Sequence, residues 1–174
     1  MPVVSNTGPL IWLSKIGKLN LLTKLYGEVL IPEEVYKEAV ERGLEEGFSD
    51  TLVIKEHVDQ GLMRIARLNE SLIELCQRIV EHAFEIHVGE AQAIVMARET
   101  NSLLLMDESS GRALAETWGL KVGGTIYVIT KALREGLLDN KGAKEATLQL
   151  ISKGLRIEPK LLAGILREIE SFTP

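Results

Sequence analysis

Five oxygen-bearing side chains fall where this chain passes from a strand to a helix, or near a helix start. Asn6 follows the first strand, Glu38 lies on the second helical unit, Glu90 follows Gly89, and Asp107 and Glu108 follow the apolar run Leu103 to Met106. Sites in sheets of parallel strands form beyond the carboxyl ends of those strands. Carboxylates gathered there repel one another unless they are protonated or neutralised by a cation. Mg²⁺ and Mn²⁺ are hard ions that take such oxygen ligands. The pattern therefore points to a divalent-metal site.

Each position also has a plainer role. Asp107 could cap the helix after its strand. Glu90 could sit in a first helical turn and interact with the helix dipole. Glu38 could be a solvated helix charge, and Asn6 could form an Asx-turn leading into Pro9. His57, His82 and His87 are scattered and read as surface residues, and Trp12 and Trp118 read as core rather than as base-stacking platforms. Lys15, Lys131 and Arg134 are candidate phosphate contacts beside their ordinary role as solvated charges.

The elements that must position these groups follow from hydrophobic patterning. Val3-Val4-Ser5, Val29-Leu30-Ile31 and Leu103 to Met106 are short unalternating apolar runs, the mark of parallel strands covered on both faces. Leu120 to Val122 reads as another strand, Met63 to Ala66 and Leu155 to Ile157 as further candidates. Helices are expected from Pro9, with a break near Gly17, and from Pro32 to about Glu41. Others are expected over Ser49 to Gln60, from a cap at Ser71 through Ala83, after Gly89, over Ser109 to Trp118, and over Thr125 to Arg134. Gly43 and Gly47 suggest a loop, and two more helices are expected near Asn140 to Lys153 and Lys160 to Ser171. Alternating short strands and helices imply an α/β fold, a central mainly parallel sheet flanked by helices. The chain reads as one domain over residues 1–174, with a helical insertion around 43–87 and extra helices around 140–171.

Composition narrows the class. With 174 residues and 45% hydrophobic content the chain can bury a sizeable core. It has no apolar run of about 18 residues to cross a bilayer and no signal-peptide pattern. The single cysteine, Cys76, excludes an internal disulfide, and no Cys/His cluster suggests zinc. These features favour a cytoplasmic protein away from membranes. The formal charge of −5 argues against a broad basic nucleic-acid face and leaves room for a local basic rim around an acidic site. No Gly-x-Gly-x-x-Gly follows the first strand and no phosphate-loop Lys-Ser/Thr occurs, so a nucleotide-binding Rossmann protein is disfavoured.

Several stretches, in order, resemble a branch of the PIN-domain family: Val3 to Gly17, Ile31 to Glu38, Gly89 to Ile94, Leu103 to Glu108, and Gly119 to Val128 with Gly124-Thr125 inside it. The resemblance covers most of residues 3–135 and implies a three-layer PIN-like fold. It also implies a metal-dependent ribonuclease similar to VapC-like toxins, with RNA as substrate, an antitoxin protein as partner, and a homodimer. It places metal-binding roles on Asn6, Glu38, Glu90 and Asp107, with Glu108 beside them, and makes Thr7 a supporting hydroxyl. Glu38, Glu90 and Asp107 would be the catalytic carboxylates and Mg²⁺ or Mn²⁺ the cofactor. Position 6 holds Asn where active members of the family usually hold Asp, and position 90 holds the longer acid. The first departure removes a formal charge from the site. It opens the alternative of a catalytically weak or inactive PIN-like module for binding or assembly.

Overall fold

The structure, a computed structural model, describes residues 2–173. Five strands form one sheet: β1 (Val3–Ser5), β2 (Val29–Pro32), β3 (Arg64–Ala66), β4 (Leu103–Leu105) and β5 (Val122–Gly123). Their order is β3-β2-β1-β4-β5 and every pairing is parallel. Val3 and Val4 lie opposite Val29 and Leu30 on one side and Leu103 and Leu104 on the other. The two most apolar runs thus form the middle of the sheet, where side chains on both faces escape water.

The helices are α1 (Thr7–Lys15), α2 (Asn20–Tyr26), α3 (Glu33–Tyr36), α4 (Gly43–Glu45), α5 (Asp50–Asp59) and α6 (Glu70–His82). They continue with α7 (Val88–Glu99), α8 (Ser109–Thr117), α9 (Thr125–Arg134), α10 (Asn140–Ser152) and α11 (Pro159–Ser171). A π-helical segment, Lys37–Arg42, joins α3 to α4. Helix α7 packs against β1, β2 and β4 and carries α6 and α8, while α1, α2, α9 and α10 pack together elsewhere on the sheet. Residues Gly89 to Ala97 of α7 are all buried, as a helix that closes one layer of a three-layer α/β sandwich must be. Among the described residues no helix is long and apolar enough to cross a membrane.

From β1 the chain proceeds towards β2 and β3, then returns across the sheet to β4 and β5. Right-handed crossovers put α1 and α2 on the face opposite α6, α7 and α8, while the short α3 reaches α7 at the end of β2. The connections leaving β1 and β4 therefore diverge, opening a crevice at the carboxyl ends of these adjacent strands. Asn6 and Asp107 stand at its two sides.

Several local expectations change. Helix α1 begins at Thr7 with Asn6 as its N-cap, so Pro9 lies inside the first turn. Pro32 closes β2 and precedes α3 rather than sitting inside it. Gly43 is helical and buried, because a side chain there would stand 2.2 Å from the Thr51 hydroxyl oxygen, and glycine lets α4 approach α5. The cap of α6 is Asn69, which accepts the Leu72 N–H at 3.0 Å, and Ser71 donates to the same oxygen. Leu155 to Ile157 is not a strand. Its alternating apolar residues line a groove beside α9 and α11 instead of pairing with the sheet. By contrast, the candidate strand Met63 to Ala66 is present as β3, which pairs with β2 at the sheet edge.

Candidate metal centre at the strand switch point

Asn6 is carried into the crevice by the β1–β4 ladder, since its own N–H bonds the Leu105 carbonyl at 2.9 Å. The side chain is buried and does not cap α1. Its Nδ2 donates to Glu108 Oε2 at 3.0 Å, and its Oδ1 is buried with no hydrogen-bond partner. An unpaired buried acceptor costs about 1–3 kcal/mol, so such an atom calls for a partner.

Asp107 is held by α9 rather than by the helix it precedes. Oδ1 accepts the Thr125 N–H at 2.7 Å and Oδ2 accepts the Thr125 hydroxyl at 2.6 Å. One carboxylate thus satisfies the first exposed N–H of α9 from a different strand. Glu108, not Asp107, is the N-cap residue of α8. Arg112 reaches back from α8 and donates to the Met106 carbonyl at 3.0 Å, close to Asp107.

Glu38 sits on the π-helical segment, and π-helical turns are uncommon and frequent at functional sites. The Thr7 hydroxyl donates to Glu38 Oε2 at 2.8 Å, which ties the segment to α1, and Arg42 lies 3.9 Å from Oε1. Glu90 is the third residue of α7, and its Oε2 accepts the His87 N–H at 2.7 Å in a capping box.

Glycines make this assembly fit. A Cβ on Gly8 would stand 2.9 Å from Glu108 Oε1 and 3.3 Å from Asp107 Oδ2. One on Gly89 would stand 2.7 Å from both Glu38 oxygens, and one on Gly124 would stand 2.6 Å from Asp107 Oδ1. The glycine positions are spaces taken by carboxylates, and a methyl group at any of the three would displace one.

Electrostatics follow from the crowding. Burial pushes the Glu90 carboxyl above its ordinary range; the His87 N–H opposes this, and neighbouring Glu108 and Glu38 add to it. Burial likewise raises Asp107, against the two Thr125 bonds, with Glu108 raising it further and Arg112 lowering it. Negative charge has been collected beyond what the surrounding cations offset.

A family model described as a PIN domain matches residues 2–171. The chain belongs to the PIN-domain family. Its structure is similar to the crystal structure of PAE2754 from Pyrobaculum aerophilum, with a TM-score of 0.53 and 14% identity. The likeness covers 79% of this chain and 100% of that one. At that identity it speaks to the fold. No curated protein matches the chain.

In this PIN domain the side chains singled out in the sequence approach one another in pairs: Asn6 bonds Glu108, Glu108 and Asp107 both crowd Gly8, Glu38 crowds Gly89, and Glu90 is influenced by the charges of Glu108 and Glu38. Among the described residues, however, no three His, Cys, Asp or Glu side chains already converge closely enough to enclose an ion. Their oxygens are instead engaged with Thr7, Thr125, the His87 N–H and Asn6. The residues nevertheless fit a hard divalent ion on two counts. Asn6 Oδ1 is a buried oxygen without a partner, and two of the acids are disfavoured as bare anions. Arg112 and the hydrogen-bonding role of Thr125 were not singled out from sequence; for Thr125 the signal was the Gly124-Thr125 pair, which packs against Asp107.

Three cations considered for phosphate contact go different ways. Lys15 lies over the Trp12 ring at 5.1 Å, Lys131 pairs with Glu135 at 3.0 Å, and Arg134 pairs with Glu168 beside a groove that opens at Asp107. Trp12 and Trp118 pack against the core as partly buried residues.

Proposed function

We propose that this PIN domain is a metal-dependent ribonuclease that hydrolyses RNA phosphodiester bonds, with Asn6, Glu38, Glu90, Asp107 and Glu108 as its site. One observation carries the reading: Asn6 keeps a buried side-chain oxygen without a partner while its Nδ2 meets Glu108, which crowds Gly8 together with Asp107. Mg²⁺ or Mn²⁺ would be held by Asp107 and Glu38, with Glu90, Glu108 and Asn6 Oδ1 completing the oxygen set. When bound, such an ion lowers the pKa of bound water and offsets charge on the phosphate.

The chain's own groups supply the rest. Thr125 and Thr7 fix the orientations of Asp107 and Glu38 before substrate arrives, which spares that ordering during reaction. Glu90, with its raised proton affinity, can accept a proton from an attacking water, and its free Oε1 faces Gly111. Arg112 is placed to meet phosphate charge beside Asp107.

The test is incubation of end-labelled single-stranded RNA with Mn²⁺. Cleavage that stops on chelation and in Asp107→Asn is expected. Cleavage that persists in either case contradicts the reading.

A second reading is a catalytically weak or inactive module for binding or assembly. It is favoured by the neutral Asn6 and by the hydrogen bonds that already occupy the carboxylates. A toxin role with an antitoxin partner is part of the main proposal and rests on the resemblance of the sequence motifs; growth arrest on expression, relieved by Asp107→Asn, would support it. Homodimerisation is proposed with it, supported by exposed Leu44, Phe48 and Leu52 around α4 and α5. Light scattering that shows only monomer at high micromolar concentration would contradict that part.

A further inference from the structure

Beside Asp107 the crevice opens into a groove of about 520 Å³. One wall is the face of α9 that carries Tyr127, Thr130 and Arg134, residues spaced by three and four and therefore on one side of the helix. The opposite wall is Leu155 to Ile157 with α11, and Arg112 stands where groove and carboxylates meet. Three guanidinium groups line it: Arg112, Arg134 and Arg156. Its acids are Asp107, which belongs to the site, and Glu168, which already pairs with Arg134. Arg156 is exposed, and no ion pair holds it among the described residues. Arg112 has Glu116 within 3.9 Å and Arg134 has Glu168, so Arg156 is the uncommitted positive charge that the groove offers in a chain of net charge −5.

Tyr127 adds an aromatic ring to the same groove. Its ring lies over Gly123, the last residue of β5, where an added Cβ would stand 2.4 Å from the ring's Cδ1. The ring is therefore seated on backbone, yet 39% of the residue remains exposed. A partly exposed aromatic ring seated against backbone, in a groove also lined by guanidinium groups, is the combination that holds unpaired bases and their phosphates. Bases inside an A-form duplex are already stacked and cannot reach such a plane.

We propose that this groove binds the single-stranded RNA adjoining the cleaved bond, with a base stacked on Tyr127 and a phosphate on Arg156. The inference rests on the nuclease reading for its substrate, but its binding test does not require cleavage.

The probe is a fluorescein-labelled oligouridine in buffer with chelator, where metal-dependent cutting cannot occur, followed by anisotropy against the full chain. Tyr127→Ala is expected to weaken binding by about tenfold, within the range for loss of one stacked base, and Tyr127→Phe to restore it. Arg156→Ala is expected to reduce the slope of log affinity against log salt by about 0.7, one phosphate on a single strand. Duplex RNA is expected to compete poorly. Unchanged affinity in Tyr127→Ala with unchanged thermal unfolding, equal competition by duplex, or no binding to the parent protein would each overturn the proposal. Cleavage of RNA with binding indifferent to Tyr127 sinks the groove and leaves the nuclease. Binding that depends on Tyr127 in a protein that cuts nothing sinks the nuclease and leaves the groove.

Discussion

Asp107 and Glu38, the two carboxylates proposed as direct ligands, are held in different ways. Asp107 lies two residues beyond central strand β4 and has both oxygens bonded to one residue, Thr125, whose hydroxyl and N–H belong to the start of α9. Glu38 stands on a π-helical segment and has one strong partner, the Thr7 hydroxyl, with Arg42 at 3.9 Å. Asp107 is thus fixed by a buried residue next to the sheet, whereas Glu38, on the less regular π-helical segment, is steered by the half-buried Thr7 of α1. Rigid placement suits the ligand that defines the site, and looser placement suits the one that must turn to meet an ion. The Asp107 half is the anchor and the Glu38 half the adjustable arm.

The comparison breaks most visibly at Asp107. Asp107→Asn keeps an oxygen for the Thr125 N–H and should leave the fold intact while metal-dependent cleavage of RNA falls by about a hundredfold or more. A variant that unfolds, or one that cuts at the parental rate, would remove Asp107 from its role. The two threonines test the asymmetry. Thr125→Val should lower stability by about 1–3 kcal/mol, because it strips a donor from a largely buried carboxylate. Thr7→Val should cost less, about 0.5–1.5 kcal/mol. Urea unfolding of both variants ranks them, and a larger loss in Thr7→Val would reverse the assignment of anchor and arm.

Asn6 sharpens the picture from between the two halves. Its Nδ2 donates to Glu108 at 3.0 Å, so Asn6→Asp replaces that bond with two adjacent carboxylates. Without metal the variant should melt at a lower temperature than the parent. With Mn²⁺ it should bind roughly tenfold more tightly, since one unit charge at 4 Å is worth about 1 kcal/mol even in water and the ion is divalent. Asn6→Ala should bind more weakly than the parent. Equal affinity in all three would remove Asn6 from the site.

The smallest effect is on pH. Asp107 and Glu90 take up protons more readily folded than unfolded. A raised folded pKa means that the metal-free protein loses stability as pH rises from the ordinary carboxylate range through the raised values, and regains it on the way down. Protons also compete with metal over that window, so cleavage should fall on the acid side above the usual carboxylate range. The gain in urea midpoint on mild acidification should be smaller in Asp107→Asn. Parallel profiles for parent and variant would mean that Asp107 does not titrate as described.

Much of this arrangement was legible in the sequence because the informative signals were local. The apolar runs at Val3 and Leu103 could only be buried strands, so the residues after them, Asn6 and Asp107, had to lie at the sheet's carboxyl edge. The rest depended on contacts between distant segments. Glu38 could be placed on a helix, but nothing in Lys37 to Arg42 announces a π-helical turn. Gly43 read as a loop because its reason for being glycine is the Thr51 side chain on the next helix. Leu155 to Ile157 alternates as a strand does, yet it joins neither edge strand, β3 nor β5, and packs beside α9 and α11 instead. The Tyr127 ring is placed by Gly123, a neighbour four residues earlier whose meaning appears only when β5 and α9 are folded together.

The central claim is that the crevice holds a divalent ion through Asp107. Calorimetric titration of Mn²⁺ into metal-free parent and Asp107→Asn protein tests it without reference to RNA or to activity. One saturable binding event is expected in the parent, lost or at least tenfold weaker in the variant, with both proteins folded by circular dichroism. Equal Mn²⁺ affinity in the two, or no binding to the parent, would contradict it.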